Sequence, residues 1–276
     1  MSRLLIFGMG YTSRAIAARL ETRGWRVVGT TRDGRDGSIA FADRDRVRFE
    51  AQQATAILSS VPPDGEGDPV LTNYRELLAG PTLAYLSSTG VYGDAGGGWV
   101  DESTPIAGRR GNRNLADRAW LALGARVFRL PGIYGPGRSP LDRVVAGEAH
   151  RVDCPGQVFS RVHVADVAKG VTYGLSAEPG SYNLSDDLPA SQNEVVEYAA
   201  RLLGVEPPSF VTLDTLSPMA RAFYGENRRV ANGKAKRVLG WTPDYPDYRF
   251  GLRALSATTS PASARAAPAP ASGDQR

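Results

Sequence analysis

Short apolar runs alternate along this 276-residue chain with segments whose apolar residues recur at helical spacing. Runs without polar alternation are typical of strands that are buried on both faces of a parallel sheet. Their alternation with helices predicts a Rossmann-type α/β fold, a doubly wound and mostly parallel sheet with a small C-terminal substrate lobe. The predicted strands cover residues 4–7, 25–32, a short 47–49, 54–61, a run that starts at residue 82, and 127–130.

The chain divides into three parts at this level. Residues 1–140, with about 157–175, are predicted to form a nucleotide-binding domain, and residues 138–156 and 176–252 the smaller lobe. Residues 256–276 are rich in Ala, Ser, Thr and Pro, and such a segment buries too little apolar surface to offset chain entropy. We therefore predict a disordered tail there.

The first strand runs into a glycine pair, and a helical segment follows. Gly8 permits a tight turn, and Gly10 lets the backbone approach a diphosphate. Ser13 stands where a third small residue packs the helix on the strand. Free N–H groups and the helix dipole favour an anion at this point. We predict that Gly8, Gly10, Tyr11 and Thr12 hold the diphosphate of a dinucleotide; the alternative is a plain strand–helix turn.

The end of the second strand predicts which dinucleotide binds. NAD-binding folds place an acidic residue there to accept from the ribose 2′-hydroxyl. This chain has Thr31 and Arg32, whose hydroxyl and guanidinium suit a 2′-phosphate. The prediction is NADP, with NAD as the alternative if Asp33 contacts the ribose and Arg32 is only a solvated loop residue.

The fourth strand ends in a proline-rich loop. Ligands of a parallel sheet collect at the carboxyl ends of its strands. Ser59 and Val61 are therefore predicted to lie near the cofactor. The alternative is an ordinary surface turn.

The glycine motif and five later segments, in their order along the chain, resemble the extended short-chain dehydrogenase/reductase family, which includes the NAD-dependent epimerases and dehydratases. The chain is most similar to an atypical branch with short loops, and the resemblance covers about residues 3–252. The remaining segments that carry it, after the glycine motif, are the Ser-Ser-Thr-Gly-Val-Tyr-Gly run at 87–93, then 127–138, 160–168, 181–184 and 237–249.

The resemblance implies roles for single residues. Ser88 occupies the position that hydrogen-bonds the reacting carbonyl or hydroxyl. Ser87 would contribute to the cofactor site, and Pro131 and Ile133 would lie on its nicotinamide side. Of the two histidines, His163 matches a packed structural position of the family.

The family's Tyr-x-x-x-Lys pair is missing. The lysine normally lowers the pKa of the tyrosine, which otherwise is a poor base at neutral pH. Matching Asp117 to the family's acidic residue places Arg113 at the lysine position and Arg109 at the tyrosine position. Arg113 can hold ribose hydroxyls, whereas Arg109 cannot act as a base.

Three interpretations follow from this departure. In the first, hydride transfer persists and another phenol supplies the proton, with Tyr92 nearest to Ser88 and Tyr134 next. In the second, Arg109, Arg110 and Arg113 of the arginine-rich helix bind an anionic substrate such as a carboxylate or phosphate; the alternative is a solvated helix face. Arg138 is a further predicted substrate contact besides Ser88. In the third, the protein binds NADP without turnover, as a redox sensor. The first two describe an NADP-preferring oxidoreductase that acts on a small carbonyl or hydroxyl compound, such as a nucleotide sugar or an anion.

Composition excludes several other classes of site and partner. The net charge is +4, and the chain has two histidines and one cysteine, Cys154, which builds neither a zinc site of common spacing nor a disulfide framework. No basic run interleaves with aromatic residues and no apolar run could span a bilayer, so neither nucleic acid nor a membrane is a predicted partner. The start of the chain does not read as a signal peptide, and we expect a cytoplasmic protein, for which a homodimer is one arrangement.

Overall fold

The computed structural model describes residues 1–259 of the chain. The strands are β1 (Arg3–Phe7), β2 (Arg26–Thr31), β3 (Ile39–Ala40), β4 (Ala56–Ser59), β5 (Thr82–Ser88), β6 (Trp99–Val100), β7 (Arg126–Leu130), β8 (Gly132–Tyr134), β9 (Arg151–Val152), β10 (Arg161–His163), β11 (Gly180–Asn183), β12 (Phe210–Val211) and β13 (Arg229–Val230).

The helices follow the same alternation. They are α1 (Tyr11–Glu21), α2 (Arg44–Gln53), α3 (Pro69–Tyr74), α4 (Gly111–Ala122), α5 (Pro140–Val145), α6 (Val164–Gly174), α7 (Gln192–Leu203), α8 (Pro218–Tyr224), α9 (Gly233–Leu239) and α10 (Tyr248–Thr259). Within residues 1–259, none of them is both long and apolar enough to cross a membrane.

A seven-stranded sheet forms the centre of the molecule, in the order β11-β7-β5-β4-β1-β2-β3. Every neighbouring pair in it is parallel, so the strands end at a common edge. The chain adds strands on one side of β1 and then on the other, and ligands bind at such a switch point. This sheet confirms the predicted Rossmann-type fold class.

Helices cover both faces of the sheet because its central strands are apolar on both sides. On one face, Leu20 of α1 and Val167 of α6 pack in a core cluster with Leu4 and Ile6. On the other face, the helices α2, α3 and α4 cover Leu5, Phe7 and Ile57. The two layers leave the carboxyl edge of β1, β4 and β5 for ligands.

The prediction of a strand at 47–49 is wrong, because these residues belong to α2. Asp43 caps this helix by accepting from the Arg46 N–H at 3.2 Å, and Val47 and Ala51 are buried one turn apart. The third strand is instead β3, which pairs with the end of β2. A three-residue window does not distinguish the two periods.

A smaller group of helices stands beside the sheet. The helices α5, α7 and α10 share a core that includes Leu141, Val195 and Leu252. The division into two domains stays a prediction, with two corrections. The strand β11, which we expected in the lobe, is the edge strand of the sheet. Residues 256–259 belong to α10 rather than to the tail, and residues 260–276 lie outside the described part of the chain.

Candidate functional site

The turn between β1 and α1 leaves an open space lined by hydrogen-bond donors. Gly8 has a φ of +91°, and a Cβ there would stand 2.8 Å from Ser60 Oγ. Gly10 begins α1 without a side-chain cap, and no atom lies within 4 Å of where its Cβ would stand. Within residues 1–259, the N–H groups of residues 11–13 have no hydrogen-bond partner. This geometry fits the diphosphate of a dinucleotide.

Ser13 holds the start of α1 against the segment that follows β4. Its side chain is buried, and its Oγ donates to Ser60 Oγ at 2.9 Å. Ser60 Oγ in turn donates to the Gly8 carbonyl at 2.6 Å. The small residue therefore links helix and turn, as the sequence predicts.

The end of β2 is shaped by Thr31. Its Oγ1 accepts from the Gly34 N–H at 2.9 Å and lies 2.7 Å from Ser38 Oγ. Because this hydroxyl is buried and engaged in the loop, the predicted direct contact of Thr31 with the adenosine ribose is corrected. Arg32 is exposed and has no ion-pair partner in the described part of the chain, whereas Asp33 stands 3.8 Å from Arg35.

Two predicted cofactor contacts, Ser59 and Ser87, are buried near the carboxyl ends of their strands. Ser59 is completely buried on the face that α3 and α4 cover. Ser87 Oγ donates to Asp117 Oδ2 at 2.6 Å. The prediction for Ser87 is therefore corrected. The Ser59 Oγ has no hydrogen-bond partner within residues 1–259, so its contact with the cofactor stays a prediction. Val61 does lie at that edge, with its Cγ2 3.3 Å from where a Gly8 Cβ would stand.

Ser88 lies at the carboxyl end of β5, two strands from β1. It is half-buried, and its Oγ accepts from the Gly90 N–H at 3.1 Å. This bond begins the short turn Thr89–Tyr92 and leaves the hydroxyl proton available. The serine that sequence assigned to the substrate is thus on the same edge as the glycine turn.

Residues after β7 border the same edge from the other side. Pro131 and Ile133 are half-buried, and Ile133 packs on the core. A Cβ at Gly135 would lie 2.6 Å from the Tyr11 hydroxyl, so the glycine permits this close approach. The exposed Arg138 has its guanidinium 5.7 Å from the centre of the Tyr11 ring. Pro131, Ile133 and Arg138 remain candidate contacts.

Tyr92 is not available as a proton donor or base. Its hydroxyl donates to Asn183 Oδ1 at 2.7 Å and accepts from Arg129 Nη1 at 3.1 Å. Burial raises the pKa of Tyr92 to about 12. Its catalytic assignment is therefore corrected. Tyr134 is also buried, which raises its pKa, and its ring packs against Gly251.

Arg109 and Arg113, which match the positions of the missing Tyr and Lys, have different surroundings at the start of α4. Arg109 precedes the helix, and its Nε donates to Glu226 Oε1 at 2.6 Å. The Glu226 carboxylate forms an ion pair with Arg109, which makes Arg109 a weaker candidate for the contact with an anionic substrate. Arg113 is on the first turn of α4 and lines a groove with Asp64. Its guanidinium has no hydrogen-bond partner within residues 1–259 and stays the candidate for the lysine position.

A buried ion pair stabilises the strands behind the site. Arg129 donates to Asp117 from Nε at 3.1 Å and from Nη2 at 2.8 Å, and both side chains are almost completely buried. Sequence analysis used Asp117 only for alignment and missed its partner. An arginine within an apolar strand was the signal that could have indicated it.

His163 has a structural role, as the resemblance implied. Its Nδ1 accepts from the Ala165 N–H at 3.3 Å and caps α6. Burial lowers the pKa of His163 to about 4, so it is neutral at physiological pH. Over residues 1–259, no three residues among His, Cys, Asp and Glu stand close enough to hold a metal ion.

Known proteins resemble the whole chain. Protein YeeZ of Escherichia coli K12 is 30% identical over 280 residues, which cover 90% of this chain and 97% of YeeZ. A solved structure of a functionally unknown conserved protein from Silicibacter pomeroyi is 39% identical, with a TM-score of 0.86 over 94% of this chain and 100% of that one. No family model matches.

The human epimerase family protein SDR39U1, solved with NADPH, is 17% identical with a TM-score of 0.73 and covers 92% of this chain and 99% of its own. The chain belongs to the same family as YeeZ. Its fold is that of the NAD-dependent epimerases and dehydratases, and the chain lacks the Tyr-x-x-x-Lys pair. A further relative is the 3-diazoavenalumate denitrifying reductase of Streptomyces, 30% identical over 142 residues, or 47% of this chain and 46% of that protein.

Proposed function

We propose that this family member is an NADP-preferring oxidoreductase that acts on a small carbonyl or hydroxyl compound. The supporting observation is the open start of α1, where the space beside Gly10 is free of atoms and is lined by unpartnered N–H groups. Gly8, Gly10, Tyr11 and Thr12 would hold the diphosphate there. Pro131 and Ile133 would border the nicotinamide, as in the family that the chain resembles.

The chain's own residues position the substrate and stabilise charge. A nicotinamide cofactor, when bound, supplies or accepts the hydride. Ser88 has a free hydroxyl proton that can donate to the substrate oxygen, which orients that oxygen and stabilises its developing negative charge. Arg113 adds positive charge from α4. Because arginine does not release a proton at neutral pH and Tyr92 is buried, solvent water supplies the proton through Ser88.

The descriptions of two similar proteins support a nicotinamide-dependent oxidoreductase. The Streptomyces relative is called a reductase, and the human structure was solved with NADPH. The missing Tyr and Lys favour a different function, an NADP-binding redox sensor without turnover. The two functions share cofactor binding and differ only in chemistry, so one experiment separates them.

Ser88→Ala is expected to lower kcat/KM by about 100-fold and leave the Kd for NADPH unchanged, because one donor to a charged oxygen contributes about that much. NADPH oxidation is followed over a library of carbonyl compounds, and Ser176→Ala, at an exposed serine, is the matched control. Wild-type protein that binds NADPH but oxidises it with no compound would favour the sensor. Failure to bind either nicotinamide cofactor would exclude both functions.

The preference for NADP rests on Arg32. Arg32→Ala is expected to raise the Kd for NADPH by about 10-fold and leave the Kd for NADH unchanged, because charge-assisted bonds to the 2′-phosphate are lost. Isothermal titration calorimetry with both cofactors measures this, with Arg35→Ala as the control that removes an arginine near Asp33. Tighter binding of NADH than of NADPH by the wild type, lost in Asp33→Asn, would contradict the preference and show that Asp33 contacts the ribose.

A further inference from the structure

Arg228 lies beside Ser88 in the folded protein, although the two are far apart in the sequence. A Cβ on Gly90 would stand 3.3 Å from Ser88 Oγ and 3.9 Å from Arg228 Nη2. Serine hydroxyl and guanidinium therefore border the same space above the Thr89–Tyr92 turn. Arg228 precedes β13, whose pairing with β6 brings it to this place.

One nitrogen of Arg228 holds the guanidinium in position. Its Nη1 donates to the Gly93 carbonyl at 2.6 Å and to Glu226 Oε2 at 2.7 Å. The side chain is only 16% exposed. Within residues 1–259, its Nε and Nη2 have no hydrogen-bond partner. A fixed guanidinium with unused donors is the geometry that binds carboxylate or phosphate groups.

Glu226 and Asp94 balance the charges of Arg228 and Arg109, but only Glu226 forms ion pairs with these arginines. Glu226 is shared by Arg228 and Arg109, so two guanidiniums face one carboxylate. Burial acts to raise the pKa of Glu226, but hydrogen bonds from both arginines hold it below its ordinary value, so Glu226 is ionised at neutral pH. The exposed Asp94 is the next carboxylate, and its Oδ1 already accepts from the N–H groups of Gly96 and Asn227.

Arg109 and Arg228 are not equivalent in this cluster. Arg109 donates from Nε to Glu226 and from Nη2 to the Ala222 carbonyl at 2.7 Å, and its side chain is more exposed than that of Arg228. Arg228 keeps its Nη2 for another partner. The residue next to Ser88 that can receive an anion is therefore Arg228, which the sequence analysis did not select.

We propose that Arg228 is a specificity-determining residue that binds a carboxylate or phosphate group of the substrate next to the oxygen that Ser88 contacts. The inference rests on the proposed function in that it takes Ser88 as the substrate contact. It identifies the substrate class as a carbonyl or hydroxyl compound that carries an anionic group close to the reacting carbon.

The first test uses binding alone, so it does not depend on turnover. Protein with and without saturating NADPH is titrated by calorimetry with oxamate, inorganic phosphate and the neutral oxamide. We expect an anion to bind the wild type at least about 10-fold more tightly than oxamide does, and Arg228→Gln to lose about 10-fold or more of that affinity. Arg229→Gln, with the same charge change, should keep it, because Arg229 donates to the Gly97 carbonyl instead.

The titrations test the role of Arg228 and the binding of NADPH separately. Equal affinity of wild type and Arg228→Gln, or binding of neither anion by the wild type, would overturn the role of Arg228. Absence of NADPH binding would overturn the proposed function, whereas the titrations without NADPH still test the arginine. A preference for oxamate over phosphate, or the reverse, identifies which anion the site takes. Thermal melting shows whether Arg228→Gln is folded; if it is not, Arg228→Lys replaces it, with a severalfold loss expected.

The second test follows specificity. Where a carbonyl acid is reduced, its amide should be reduced with at least about 10-fold lower kcat/KM by the wild type, because the charge-assisted bond is lost. Arg228→Gln should reduce the two at similar rates, while its Kd for NADPH stays unchanged. A merely structural residue would lower both rates together, and that result would contradict the proposal.

Discussion

Gly10→Asp is expected to abolish dinucleotide binding, with a loss of at least about 100-fold in affinity, while the protein stays folded. The aspartate would accept the N–H groups that are left for the diphosphate, and its charge would repel that group. Two or more charge-assisted hydrogen bonds of about 1.5–3 kcal/mol each are lost in this way. The fold should tolerate the change, because Gly10 has a φ of −86° and its Cβ would meet no atom within 4 Å.

Calorimetric titration with NADPH measures the affinity, and thermal melting measures stability. Aspartate is a favourable N-cap residue, so the melting temperature should stay or rise. Gly10→Asn has nearly the same shape without the charge and should lose less affinity. NADPH binding by Gly10→Asp at the wild-type level would show that the diphosphate does not lie on this turn, and the proposed function would fail with it.

Asp117→Ala is expected to lower the free energy of unfolding by about 3–5 kcal/mol. Removing one partner of a buried ion pair leaves the other charge without compensation. Arg129 would remain almost completely buried opposite the alanine. Ser87 would also lose its hydrogen-bond acceptor. The effect is large because Asp117 joins α4 to β5 and β7 at once.

Urea unfolding of the two proteins measures this difference. Glu76→Ala is the matched control, because it breaks the exposed ion pair of Glu76 with Arg48, for which a loss of no more than about 1 kcal/mol is expected. Replacing both members, Asp117→Leu with Arg129→Met, should recover part of the stability, since no charge is then left buried. A loss below 1 kcal/mol for Asp117→Ala would mean that water reaches Arg129 in the folded protein.

Gly10 and Asp117 have different roles in the protein. Gly10 belongs to the ligand edge and is expected to affect binding without affecting stability. Asp117 belongs to the core and is expected to affect stability first. Asp117 matches an acidic position of the family that the chain resembles. Its contacts with Arg129 and Ser87 form a structural ion pair and hydrogen bond rather than a substrate contact.

The local pattern of the chain determined the class of fold and the edge at which ligand binding is proposed. The strand, glycine turn and helix at residues 4–17 are local, so hydrophobic spacing and the turn glycines suffice to predict them. Strands that are apolar on both faces require helices on both sides, which leads to the parallel sheet. Ser88 follows from its motif at the end of such a strand.

Only the tertiary structure decided which polar side chains lie at the predicted ligand edge. Ser87 lies in a motif that ends at this edge, yet its side chain bonds to Asp117 in the core, because one residue of shift changes the face of a strand. Arg228 joins Ser88, and Arg129 joins Asp117, through strand pairing between distant segments. Hydrophobic periodicity indicates whether a residue is buried, but it does not indicate which distant residue packs against it. These pairs could therefore be identified only in the folded structure.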